Sequence, residues 1–155
     1  MLKIVPATAA QDLEDVRVLF CEYSALVAEA LCFQNFDQEL EALPGKYAQP
    51  AGALLIARDA HAAAGCVALR RLDAASGEMK RMFVRDAYRR SGLGRRLAVA
   101  VIDEARKRNY ARVMLDTLPK LAPAIALYRD LGFRETGPYL ANPTPGAICF
   151  ELKLS

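Results

Sequence analysis

A chain of 155 residues with 54% apolar and 25% charged side chains suits one globular domain with a sizeable core. Its net charge of +3, from 21 basic against 18 acidic side chains, comes without a long basic run or an aromatic-interleaved patch, which fits a local anionic ligand better than a nucleic acid. No apolar run approaches the length of a membrane span, and the apolar part of MLKIVPAT is too short for a signal peptide.

Leu2 to Pro6 reads as a first strand. Thr8 is placed to cap a helix with Gln11 at the capping-box position, and Leu13, Val16, Phe20, Ser24, Val27 and Leu31 trace one helical face. The linker CFQNF leads to a short helix over Asp37–Leu43, stopped by Pro44-Gly45. Ala53 to Arg58 and Gly65 to Leu72 form a hairpin, with His61 in its turn. A central strand is expected from Glu78 to Arg85, then the turn RRSGLG, then a helix in which Leu93, Leu97, Val101 and Ala105 recur every four residues. Arg112 to Thr117 is a further strand, and Leu121 to Leu131 a helix ended by Gly132. Phe133 begins another strand, Pro138 to Pro143 is a proline-bounded loop, and Ile148 to Leu154 closes the chain. The pattern is one α/β domain, residues 1–155, with a mixed sheet. Cys21, Cys32, Cys66 and Cys149 are scattered without a CxxC pair, and with a single histidine no metal site is expected. Free thiols in a reducing cytoplasm account for them.

The strand–glycine turn–helix unit from Gly77 to Arg96 carries chemistry. A helix N-terminus leaves N–H groups unpaired and bears partial positive charge, and glycines at its entry let a bulky anion approach. Arg89, Arg90, Arg95 and Arg96 add full charges. This is a phosphate or pyrophosphate cradle in outline. It is neither a Walker A loop nor a three-glycine dinucleotide fingerprint. A tight turn beside a solvated basic face is the competing reading.

The segment Arg89-Arg90-Ser91-Gly92-Leu93-Gly94 resembles the coenzyme A motif Q/R-x-x-G-x-G/A of the GNAT superfamily, the acyl-CoA-dependent N-acyltransferases. The preceding EMKRMFVRDAYR is similar to that family's central strand. A second block, LDTLPKLAPAIALYRDLGF over Leu115–Phe133, resembles its downstream strand–helix–strand. The resemblance implies an α/β (α+β) fold, with a mixed, mostly antiparallel twisted sheet of six to seven strands and about four helices. It implies acetyl-CoA as co-substrate and direct transfer to an amine of a small molecule or peptide. A second copy of the chain is the protein partner to consider.

Carried onto this sequence, the resemblance gives the donor site Met82, Phe83 and Val84, whose backbone would pair with the pantetheine arm, together with Arg89, Arg90, Ser91, Gly92, Leu93 and Gly94 at the pyrophosphate, and Thr117 along the channel. Glu78 becomes the general-base candidate and Tyr128 the group that meets the departing sulfur. A strict strand would put Glu78 on one face with Lys80, Met82 and Val84. A base is needed because an ordinary amine, with a pKa of about 10, arrives protonated at neutral pH. Gln34, Asn35, Phe36, Tyr139 and Asn142 are candidates for the acceptor side, and Lys120 for the channel. A module that binds acyl-CoA without turnover is the alternative, against which Glu78 and Tyr128 stand.

Overall fold

The computed structural model describes residues 1–27 and 36–154. Seven strands form one sheet: β1 (Leu2–Pro6), β2 (Ala53–Asp59), β3 (Ala62–Arg71), β4 (Ser76–Val84), β5 (Arg112–Thr117), β6 (Arg134–Thr136) and β7 (Ile148–Lys153). Their order across the sheet is β1-β2-β3-β4-β5-β7-β6. Every neighbouring pair is antiparallel except β4 with β5. The mixed, mostly antiparallel sheet matches the expectation from sequence.

The four α-helices among the described residues are α1 (Ala10–Val27), α2 (Phe36–Ala42), α3 (Leu93–Lys107) and α4 (Ala122–Asp130). They cover opposite faces of the sheet. α3 buries Leu93, Leu97, Ala98, Val101, Ile102 and Ala105 against Leu55, Val67, Leu69 and Leu115. The i, i+4 recurrence of its apolar residues makes that stripe continuous. On the other face Val16, Leu19 and Phe20 of α1 pack on Leu54, Ile56, Cys66 and Phe83. None of the described helices is long and apolar enough to cross a membrane.

Several boundaries differ from the sequence reading. β4 begins at Ser76, because Ser76 and Gly77 already pair with Arg112 and Val113 of β5. The hairpin turn before it is held by Leu72 N–H to the Ser76 carbonyl at 2.9 Å and Ala75 N–H to Asp73 Oδ1 at 2.9 Å. At the start of α1, Asp12 accepts from the Ala9 N–H at 3.3 Å, while Gln11 turns to Asp15 at 3.0 Å. The expected Thr8–Gln11 box is thus replaced by a carboxylate reaching back from the first turn, where the helix dipole favours it. Leu31 and the CFQ-N part of the linker, with Cys32, Gln34 and Asn35, lie outside the described residues. Of the other thiols, Cys66 and Cys149 are buried and Cys21 is exposed.

The main correction concerns β4. Opposite β3, Cys66 faces Phe83 but Ala68 faces Lys80, so β4 carries one extra residue between them. Arg81 sits in this bulge with φ +58, a left-handed conformation uncommon outside glycine. The extra residue reverses the alternation. Glu78 and Lys80 share a face with Phe83, whereas Met82 and Val84 join Met79 in the α3 core. The bulge is pinned by its side chain: Arg81 Nε and a second nitrogen reach the Glu39 carboxylate of α2 at 2.8 and 2.9 Å, in a pair that is almost wholly buried.

Candidate active site

The parallel ladder between β4 and β5 is short. It joins Ser76–Glu78 to Arg112–Met114 and stops, although β4 continues to Val84 and β5 to Thr117. Past that point, among the described residues, β4 pairs only with β3 and β5 only with β7. Between these two strands the sheet therefore opens into a V, with no ladder along the inner edge of β4 among the described residues. Met79, Lys80, Arg81 and Met82 line one side of the resulting cavity and Leu115, Asp116, Thr117 and Leu118 the other. Tyr23 and Val27 of α1 close one face, Tyr128 and Ala124 of α4 the other, and Thr144 and Ala147 reach in from the β6–β7 loop.

Against α4, the helix that also supplies Ala124 and Tyr128 to the cavity, lies the N-terminus of α3. Gly92 caps it with φ +82, and a side chain placed there would meet nothing within 4 Å. A Cβ on Gly94 would meet only Leu127 Cδ2, at 3.6 Å. The backbone at the start of the helix is thus open to a ligand. No acidic residue occupies its first turn.

The predicted donor residues divide into backbone and side-chain cases. Leu93 is 1% exposed with its side chain in the core, so it has only backbone to offer. Phe83 turns to α1, with its ring 6.3 Å from that of Tyr23 in a T-shaped pair. Arg89 folds back over β4: Nε donates to the Val84 carbonyl at 3.0 Å, and another nitrogen meets Asp86 at 2.5 Å. The Ser91 hydroxyl donates to the Tyr88 carbonyl, and Arg90 is exposed with φ +65. Arg95 pairs with Asp130, and Arg96 donates to the Leu2 carbonyl at 3.0 Å, so both lie along a solvated face. Thr117 and Met82 line the cavity; Lys120 is exposed outside it.

Tyr128 faces the cavity from α4, with its ring 5.8 Å from Phe133. Among the described residues its hydroxyl makes no hydrogen bond, and burial pushes its pKa above the ordinary phenol value. The phenol therefore keeps its proton across the working pH range.

Glu78, the general-base candidate from sequence, is fully buried and is not among the residues that line the cavity, and its two oxygens are already engaged. Oε1 accepts from Arg70 Nε at 2.6 Å, and Oε2 accepts from the Tyr139 hydroxyl, which arrives from the β6–β7 loop. Lys80 Nζ stands further off, at 3.8 Å. Tyr139 is thus spoken for by Glu78, Asn142 is exposed, and Phe36 packs 6.4 Å from Phe20. His61 is exposed in the β2–β3 turn.

Sequence reasoning missed Asp116. It is the carboxylate that does line the cavity, half-buried one residue before the end of β5. Burial raises its pKa above the ordinary value, against the opposing charge of Lys80. An acidic residue near the end of the otherwise apolar RVML run was the available signal.

This overall architecture is shared with known proteins. The model of the acetyltransferase (GNAT) family matches residues 16–133. An N-acetyltransferase of Schizosaccharomyces pombe is 41% identical over 147 residues, covering 94% of this chain and 90% of that one. The crystal structure of an acetyltransferase from Streptococcus agalactiae has a TM-score of 0.84 at 21% identity, over 99% of this chain and 98% of its own. A GNAT family acetyltransferase from Elizabethkingia anophelis, with acetyl-CoA bound, has a TM-score of 0.69 at 20% identity, over 99% and 98% of the two chains. The chain belongs to the GNAT family of acetyltransferases and transfers an acetyl group to an amine.

Proposed function

We propose that this enzyme transfers the acetyl group of acetyl-CoA directly to a primary amine that enters the V from the α1 side. The observation that carries the reading is the β4–β5 gap, into which Tyr128 and Asp116 both open. When bound, acetyl-CoA supplies an activated thioester carbonyl. The residues present fit it: the α3 N–H groups at Leu93 and Gly94 are open to its pyrophosphate, with Gly92 permitting close approach. The unpaired edge of β4 from Met82 offers backbone N–H and C=O groups to its amide-bearing arm, as an added strand would use them. The E. anophelis relative with acetyl-CoA bound supports this donor.

Asp116 takes the proton of the arriving ammonium. Its raised pKa brings a carboxylate nearer the range in which a base works well. Tyr128 donates a hydrogen bond to the sulfur as it leaves, which its protonated phenol is fitted to do. Glu78 holds Arg70 and Tyr139 in place, and through Tyr139 the loop that brings Thr144 and Ala147 to the cavity. Cys66 and Cys149, buried as free thiols, fit a reducing cytoplasm.

The test is a panel of primary amines with acetyl-CoA, read by thiol release and by mass spectrometry of the product. Asp116→Asn should lower kcat by about 100-fold with donor affinity kept. Glu78→Gln should act first on thermal stability. A protein that binds acetyl-CoA but releases no thiol with any amine would instead be a binding module. Wild-type turnover in Asp116→Asn would return the base role to Glu78 or to water.

A further inference from the structure

Lys80 and Asp116 stand at corresponding places on the two arms of the V. The last ladder pair is Glu78 with Met114, and each of the two residues lies two positions further along its own strand. Side chains two apart share a face. Lys80 and Asp116 therefore look across the mouth of the gap at one another, and both line the cavity. No salt bridge joins them among the described residues.

Lys80 is the odd group in this arrangement. Its side chain is 4% exposed. Its ionic neighbour is Glu78 at 3.8 Å, but the oxygens of Glu78 are held more closely by Arg70 and Tyr139. Among the described residues Lys80 Nζ makes no hydrogen bond, although an ammonium carries three donors. A desolvated cation without hydrogen bonds is costly to keep. Burial pulls its pKa down to about 8, so it still carries its charge at neutral pH. The neighbouring Arg81 differs, since its charge is met by the Glu39 carboxylate.

We infer that the acceptor is a free amino acid, whose carboxylate is received by Lys80 while its ammonium faces Asp116. The inference rests on the acetyl-transfer reading of the same cavity. A zwitterion of this kind matches both desolvated charges at once. A simple amine, a polyamine or a peptide N-terminus carries no carboxylate beside its amine, and its cation is repelled by Lys80. In the reaction the ammonium loses one proton to Asp116, its nitrogen attacks the thioester carbonyl to form the C–N bond, and the C–S bond breaks. The nitrogen sheds its second proton to solvent, the thiolate leaves hydrogen-bonded to Tyr128 and takes up a proton from solvent, and Asp116 returns its own, so one proton is released overall. The products are an N-acetylamino acid and CoA.

The test compares L-alanine with L-alaninamide, and L-methionine with L-methioninamide, in kcat/KM. The amide has the more readily deprotonated amine, so intrinsic reactivity works against the expected order. The acid should exceed its amide by at least about tenfold, the scale of a hydrogen bond to a charged group. In Lys80→Met the acid-to-amide ratio should fall to within about threefold of one, chiefly through KM for the acid, with folding checked by acetyl-CoA affinity in calorimetry. The wild-type comparison decides even if that variant does not fold. Amides acetylated as well as acids would overturn the inference, as would a Lys80→Met enzyme that keeps the preference or loses both activities equally. Acetylation of spermidine or a peptide N-terminus, with no amino acid accepted, would sink the inference and leave acetyl transfer standing. Absence of thiol release with every amine tried would remove the reading beneath it.

Discussion

Removing one oxygen from Tyr128 isolates its part in the reaction. Tyr128→Phe keeps the ring that packs against Phe133 and Phe150, and removes a hydroxyl with no hydrogen bond among the described residues. Steady-state kinetics should show kcat lowered at least about tenfold, because help to a leaving group is typically worth 100-fold or more and water replaces it only in part. CoA affinity by calorimetry should stay within about threefold, since the interactions proposed for the cradle are backbone ones. Unchanged kcat would make Tyr128 a packing residue. The sequence named Tyr128 because its helix block is local and distinctive. It misplaced the carboxylates because their environments are not local. Glu78 is claimed by Arg70, eight positions away, and by Tyr139, sixty-one positions away. Asp116 becomes the cavity carboxylate only because β4 departs from β5 just before it.

At the scale of the element, the start of α3 offers a cleaner substitution at one glycine than at the other. Any side chain at Gly92 would be strained, because φ is +82 there. Gly94 is helical, and a Cβ on it makes only ordinary contact with Leu127. Gly94→Val should therefore change stability by less than about 1 kcal/mol, since valine is the better helix former of the two. It should weaken acetyl-CoA binding by about tenfold or more, by standing where the anion approaches. Equal affinity by calorimetry would move the donor away from α3. This helix was legible because a four-residue apolar spacing and a glycine turn are written in adjacent residues. The bulge in β4 was not. Nothing in MKRMF marks Arg81 as left-handed, since the conformation is fixed by Glu39, forty-two positions earlier. A one-residue insertion then exchanges the two faces of every side chain beyond it.

Over the whole molecule, the α1–α2 flank is fastened to the sheet by arginines. Arg58 meets Asp12 and Asp15, Arg81 meets Glu39, and Arg85 meets Glu22. The hydrogen bond from Arg58 holds Asp12 below its ordinary carboxylate range. Burial opposes the ionisation of Glu39, but Arg81 outweighs it and holds that carboxyl low as well. Both carboxylates thus stabilise the fold fully above their ordinary values of 3.8 and 4.5, and the stability is lost as pH falls from there through the lower folded values. Melts between pH 7 and pH 3 should show an acid limb that flattens in Asp12→Asn. Glu39→Gln should cost about 3 kcal/mol at neutral pH by leaving a buried guanidinium short of its counter-charge, which lowers Tm by roughly 6–12 °C. A Tm within about 2 °C of wild type would show that the pair contributes little. The mixed, mostly antiparallel sheet and its flanking helices could be anticipated from apolar spacing and the resemblance together. The V is not legible in apolar spacing, because it is the absence of pairing between two strands that are each well formed.

That missing pairing bears on how the protein behaves without its donor. Among the described residues, no ladder pairs the inner edge of β4 beyond Glu78, which leaves it like an outer edge strand. On the proposed reading, a strand from another protein would compete for the same backbone groups as the donor's amide-bearing arm. At about 100 times its Kd a bound ligand adds about 2.7 kcal/mol to the folded state. If the donor lies along that edge as proposed, light scattering should find the protein less adhesive in acetyl-CoA than without it.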